Sequence, residues 1–255
     1  MPRFSVVFRQ AQKIDLSRLV QNSSEGECRK GLTEKMGSVP FFLIMFVSEK
    51  ELMKEIWFRT DEIEDLITSM SMFAESCSRI IKDETFWKWA IISLHNALQA
   101  TMVVYLRGSN DLRITRKKDA EAWMKAHETG DTYPETKMDN FLNLYGKLTK
   151  EQRDGYKFGS SNQQDASVTN LNYFRNEFIH FMSMGLSINV YGMPAVCKDC
   201  LDIIDELKEH FLCIRWIDDD QKNRFDEQLK QARENMGKIE LEYLQRRHYS
   251  HADCR

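Results

Sequence analysis

Arg175-Asn176-Glu177-Phe178-Ile179-His180 puts a fixed positive charge, a side-chain amide and an imidazole within two helical turns. Those three groups can cleave a phosphodiester without a metal. Histidine titrates near neutral pH and can move a proton. Arginine cannot lose its own proton and can stabilise negative charge developing on a phosphoryl group. The spacing alone is weak, because Arg246 and His251 in the polar tail repeat Arg-x4-His. Asn after the arginine, within an apolar helical run, sets the first copy apart.

At about 100° per residue, Val168, Leu171, Phe174, Phe178 and Phe181 fall on one face of a helix read as 165–184. His180 points roughly 160° away from that face, beside Asn176 and Tyr173. Arg175 lies on the flank, about 140° from His180. One helix therefore does not bring the two heads together. A long arginine must wrap round, or a second copy of the helix must face the first and put two Arg and two His in one cleft.

The elements around the motif read as an all-α fold. Only 4 prolines and 11 glycines punctuate 255 residues, and apolar residues recur at three- and four-residue spacing. Three segments are expected: an N-terminal extension (1–48), a helical domain (49–216, with its core in 83–216) and a C-terminal amphipathic helix with a polar tail (217–255). Ile63, Leu66, Met70, Phe73, Cys77 and Ile80 step along one helix face. The helix from about Glu84 to Arg107, capped by Asp83, is apolar almost all round and belongs in the middle of a bundle. Its exception is a strip of Lys88, His95, Asn96 and Gln99, which either faces solvent or lines a cleft.

Shorter helices are expected near 116–128 and 137–148, followed by a mobile loop at 155–164 and, after the motif helix, a short strand at 186–190. Pro194 suits the first turn of a helix running to about Trp216, with Cys197, Leu201, Ile204, Leu207, Phe211 and Ile214 buried. Phe225, Leu229, Ala232, Met236, Ile239 and Tyr243 then form a heptad seam that covers the domain's own core or pairs with another chain.

A formal net charge of -3 gives no global basic field, so a nucleic-acid role must rest on a local patch. Arg107, Arg113, Arg116, Lys117 and Lys118 form one, where a solvated surface competes with phosphate binding. Cys197-Lys198-Asp199-Cys200 lacks a second ligand pair, so no metal or cofactor is implied. The six scattered cysteines suit a reducing cytoplasm. The longest apolar run, 39–47, falls well short of the roughly 20 residues that span a membrane.

Arg175-Asn176-x3-His180 on a late helix resembles the HEPN superfamily, and the apolar helix from Phe86-Trp87-Lys88-Trp89 to Tyr105 is similar to that family's opening helix. The likeness covers residues 83–216 and rests mainly on the motif. It implies a metal-independent endoribonuclease with Arg175, Asn176 and His180 as catalytic residues. It also implies a homodimer through the motif helix and a toxin or defence role in the cytoplasm with an antitoxin or effector partner. RNA would be the substrate, bound through Tyr173, Arg113, Arg116, Lys117 and Lys118. Many members lacking the motif are binding or scaffolding domains, so a non-catalytic module that binds RNA, a nucleotide or a protein is the alternative. A purely structural assembly role, resting on the C-terminal heptads, is a third.

Overall fold

The computed structural model describes residues 57–58, 60–107, 111–153, 155–180, 187–209 and 219–252. The chain divides between Trp57 and Phe58, and every described helix belongs to the unit Phe58–Arg255. The expected N-terminal extension, the apolar run 39–47, Cys28, Cys213 and Cys254 lie outside the described residues. So do Phe181, Phe211, Ile214 and the side chain of His251.

The fold is all-α. Helix α1 (Glu62–Ile80) starts where the Asp61 carboxylate accepts from the backbone N–H groups of Ile63 and Glu64. Glu62, Glu64 and Asp65 in its first turn and Arg79 in its last both suit the helix dipole. All six of its expected core residues are buried. After a 3-10 turn, Glu84–Phe86, helix α2 (Trp87–Leu106) runs through the centre, packing on α1 and on three later helices. Among the described residues, only the segment Glu84–Leu106 is long and apolar enough to cross a membrane, and 72% of its apolar window is buried in the bundle. Burial within the protein accounts for that composition.

Helix α3 (Lys117–Thr129) ends on Gly130, whose φ of 73° is open to glycine without strain. Helix α4 spans Phe141–Leu148, shorter than the expected 137–148. Met138 is instead held in an isolated antiparallel bridge to Thr115, and the Asn140 side chain caps the helix by accepting from the Asn143 N–H. The stretch expected as a mobile loop is built. Strands β1 (Gln152–Arg153) and β2 (Tyr156–Lys157) form a small antiparallel hairpin around Gly155, and Phe158 beyond it is fully buried.

Helix α5 (Asn162–Ile179) carries the motif. It begins three residues earlier than expected because Ser161 and Gln164 form a reciprocal capping box. Helix α6 (Met193–Glu209) has Pro194 in its first turn, and helix α7 (Asp219–Ala252) closes the bundle. The expected strand is not formed among residues 187–190: Ile188 and Val190 are half-buried between exposed neighbours, with no partner strand.

Helix α7 lies against α1 and α6 in the same unit, so it does not stand apart as a separate segment. All six heptad residues, from Phe225 to Tyr243, are buried, and the seam therefore packs within its own chain. Polar contacts fix the register. Arg233 reaches Asp202 and Asp205 on α6, and the Asn235 amide donates to the Ala74 carbonyl oxygen on α1.

Candidate functional site

Helix α5 is tied to its neighbours through its first two turns. The Tyr145 hydroxyl on α4 donates to Asp165, while Gln163 and Ser167 both donate to Asp199 on α6. Val168 and Leu171 are buried, and Phe174 and Phe178 pack half-buried against the core, as the helical wheel requires. Tyr173 is 56% exposed, on the opposite side.

The helix stops sooner than the hydrophobic period suggests. His180 is its C-cap, with φ -99° and ψ 33°, and its N–H still bonds the Asn176 carbonyl oxygen at 2.8 Å. A periodic pattern does not register the backbone rotation that ends a helix. His180 is exposed, so it lies away from the core but at the helix end rather than inside the helix.

Arg175 is half-buried and turned inward. One of its terminal nitrogens, Nη1, donates to Asn176 Oδ1 at 3.1 Å, while the buried Nε has no hydrogen-bond partner. Its positive charge acts on His95 of α2. That imidazole is only 2% exposed and stacks on Phe141 with ring centroids 3.9 Å apart. His95 Nε2 lies 3.3 Å from Asn172 Oδ1, and Nδ1 is buried without a hydrogen-bond partner. Burial pushes the His95 pKa down to about 4; the Asn172 bond opposes that shift and the Arg175 charge adds to it. The imidazole is thus neutral at pH 7.

The strip on α2 does not line one cleft. His95 joins the interior node with Asn172 and Arg175. Asn96 and Gln99 border a hollow of about 190 Å³ with Glu62 and Asp65 of α1. Lys88 borders a different hollow with Thr85 and Phe178. Four side chains spread over about three turns of a central helix face different neighbours, and a strip on one side of a wheel cannot show that.

The basic cluster is also divided. Arg107 is engaged by the Glu62 carboxylate. Arg113, Arg116, Lys117 and Lys118 are exposed, and Arg113 and Lys117 border an open hollow of about 590 Å³. Glu121, Glu128 and Glu151 line the same hollow, so its charge is mixed. Cys197 and Cys200 are fully buried, and burial pushes both thiols well up. The two residues between them face outward: Lys198 pairs with Glu240 and Asp199 takes the bonds from α5. Among the described residues, no three His, Cys, Asp or Glu side chains are grouped to hold a metal ion.

Sequence reasoning missed the partnership of His95 with Asn172 and Arg175. A usable clue existed. Asn172 and Arg175 are three apart and share a helix face, and a histidine on an otherwise apolar helix needs a polar partner.

Fold and site together define an all-α bundle whose motif helix holds an Arg–Asn pair against the core and ends on an exposed histidine. No family model, curated protein or solved structure matches the chain.

Proposed function

We propose that this chain is a metal-independent endoribonuclease of the HEPN type, acting as a dimer in a cytoplasmic toxin or defence role. The observation that carries the reading is the Arg175–Asn176 hydrogen bond one turn before an exposed His180. His180 takes the proton of a 2′-hydroxyl, whose oxygen attacks the adjacent phosphorus. The 5′-oxygen leaves with the proton that His180 has taken up, and the product carries a 2′,3′-cyclic phosphate. Arg175 stabilises the phosphorane charge, and Asn176 positions the phosphate or the imidazole. DNA, without the 2′-hydroxyl, is not a substrate.

The dimer answers the separation of Arg175 from His180. Tyr173 and Ile179, 56% and 44% exposed, leave apolar surface uncovered on the motif helix, where a second copy can seat. The partner's histidine then meets an arginine approached from the other side.

A second reading, a non-catalytic module that binds RNA, a nucleotide or a protein, is favoured by one observation. Arg175 has its Nε buried, and its charge acts on the buried His95. Incubating the protein with labelled RNA in EDTA separates the two. Catalysis predicts cleavage that is lost in Arg175→Ala and His180→Ala with helicity unchanged. Undiminished cleavage by His180→Ala overturns the catalytic assignment.

A further inference from the structure

We propose that His95 is a positioning residue for Arg175: its Nδ1 accepts a hydrogen bond from the Arg175 Nε–H and so fixes the guanidinium that meets the phosphate. The observation behind this is a complementary pair of buried atoms. His95 Nδ1 and Arg175 Nε are both buried, and both lack a hydrogen-bond partner. An imidazole nitrogen can accept, whereas the arginine Nε–H can only donate. Buried polar groups in folded proteins are paired almost without exception, and these two satisfy one another.

The packing of α5 on α2 brings them to one place. The His95 ring is held on two sides, by the stack on Phe141 and by Asn172 Oδ1 at 3.3 Å from Nε2. Asn172 and Arg175 are three residues apart on α5, so the group that pins the ring is one turn from the arginine. The guanidinium is near enough for its charge to act on the imidazole. With the ring proton on Nε2 and donated to Asn172, the lone pair of Nδ1 is left for the Nε–H. On its other side the guanidinium donates from Nη1 to Asn176 Oδ1 at 3.1 Å. Held at Nε and at Nη1, its plane is set, and Nη2 is left for a phosphate oxygen. Burial of Nε is then compatible with a phosphate role, because only that nitrogen is committed to the interior. A lysine has no such fork and could not be held in this way.

Phosphate as the group that Arg175 meets rests on the ribonuclease reading, whereas the hydrogen bond is read without any RNA. In full-length protein carrying isotope-labelled histidine, long-range proton–nitrogen correlation distinguishes a protonated ring nitrogen from a bare one. At pH 7 the His95 ring should be neutral with its proton on Nε2. Arg175→Met keeps the length of the side chain and removes the donor, and it should move the Nδ1 signal more than that of Nε2. Asn96→Ala removes the ring's polar neighbour on α2 itself and should leave Nδ1 in place. Cleavage of labelled RNA supplies the second readout. His95→Asn sets an amide where Nδ1 stood, and His95→Gln sets one where Nε2 stood. The kcat should fall about tenfold in His95→Gln and about threefold or less in His95→Asn, with KM within about twofold in both. A merely structural histidine would make the two variants lose activity in step with their thermal midpoints. A proton on Nδ1, a charged ring, an Nδ1 signal that ignores Arg175→Met or answers to Asn96→Ala instead, or equal kcat losses in the two His95 variants overturns the positioning role. If the wild-type protein does not cleave RNA while the ring nitrogens behave as stated, the His95–Arg175 bond stands and the catalytic reading falls.

Discussion

The indole N–H of Trp87 donates to the hydroxyl oxygen of Tyr243 at 2.8 Å, buried between the first turn of α2 and the heptad seam of α7. That bond ties the C-terminal helix to the central one across 156 residues. Tyr243→Phe leaves a buried donor without an acceptor and should destabilise the protein by about 1–3 kcal/mol. Urea unfolding checks this, with the midpoint lowered and the slope unchanged.

Helix α7 is a wall of the core rather than an assembly strap. Removing residues 219–255 uncovers the side of α1 that packs on α7, where the Ala74 carbonyl accepts from Asn235, and the remainder should lose its cooperative thermal transition and aggregate. A truncated chain that stays folded and loses only its oligomeric state would instead restore the assembly role. Circular dichroism and light scattering distinguish these.

His95 makes stability depend on pH in a predictable direction. The free imidazole titrates near 6.5 and the folded one near 4, so on acidification the unfolded chain takes up the proton first. Nothing is lost above about pH 7, and the folded state is destabilised as pH falls towards 4, the loss reaching about 2–3 kcal/mol at pH 4.5. His95→Gln should flatten that part of the profile. Parallel urea midpoints for both proteins at pH 7.5 and 4.5 would count against it.

Arg175 reaches the same imidazole through its charge. Arg175→Ala should therefore raise the His95 pKa, observable by NMR titration of the ring, whether or not the protein cleaves RNA. No movement of that titration would mean that the two groups do not sense one another.

The capping box holds the start of the motif helix, far from the motif itself. Ser161→Ala should cost about 1 kcal/mol and increase amide exchange over the first turns of α5. If the site depends only on the buried face, RNA cleavage should change less than about threefold.

The helices were legible where burial has a period. Ile63 to Ile80 on α1, Phe225 to Tyr243 on α7 and Val168 with Leu171 on α5 are buried as their three- and four-residue steps demand. Boundaries set by single polar contacts were not. Ser161 and Gln164 sit inside a stretch whose composition suggests a mobile loop, Asn140 shortens α4, and the turn at His180 has no hydrophobic trace. The site divides in the same way. Exposure of His180 and Tyr173 follows from the wheel. The nearness of the Arg175 charge to His95, eighty residues earlier, comes from the packing of α5 on α2.

The pairing of α1 with α7 also has a consequence in time. Asn235 meets Ala74 across 161 residues of chain. At about 5–20 residues per second, the ribosome takes on the order of 10–30 seconds to make that span. Throughout it, the apolar stripe of α1 has emerged without the helix that covers one side of it. Stalled nascent chains ending before residue 219 should therefore be cut by protease within α1 and captured by chaperones, whereas chains released after residue 252 should resist both.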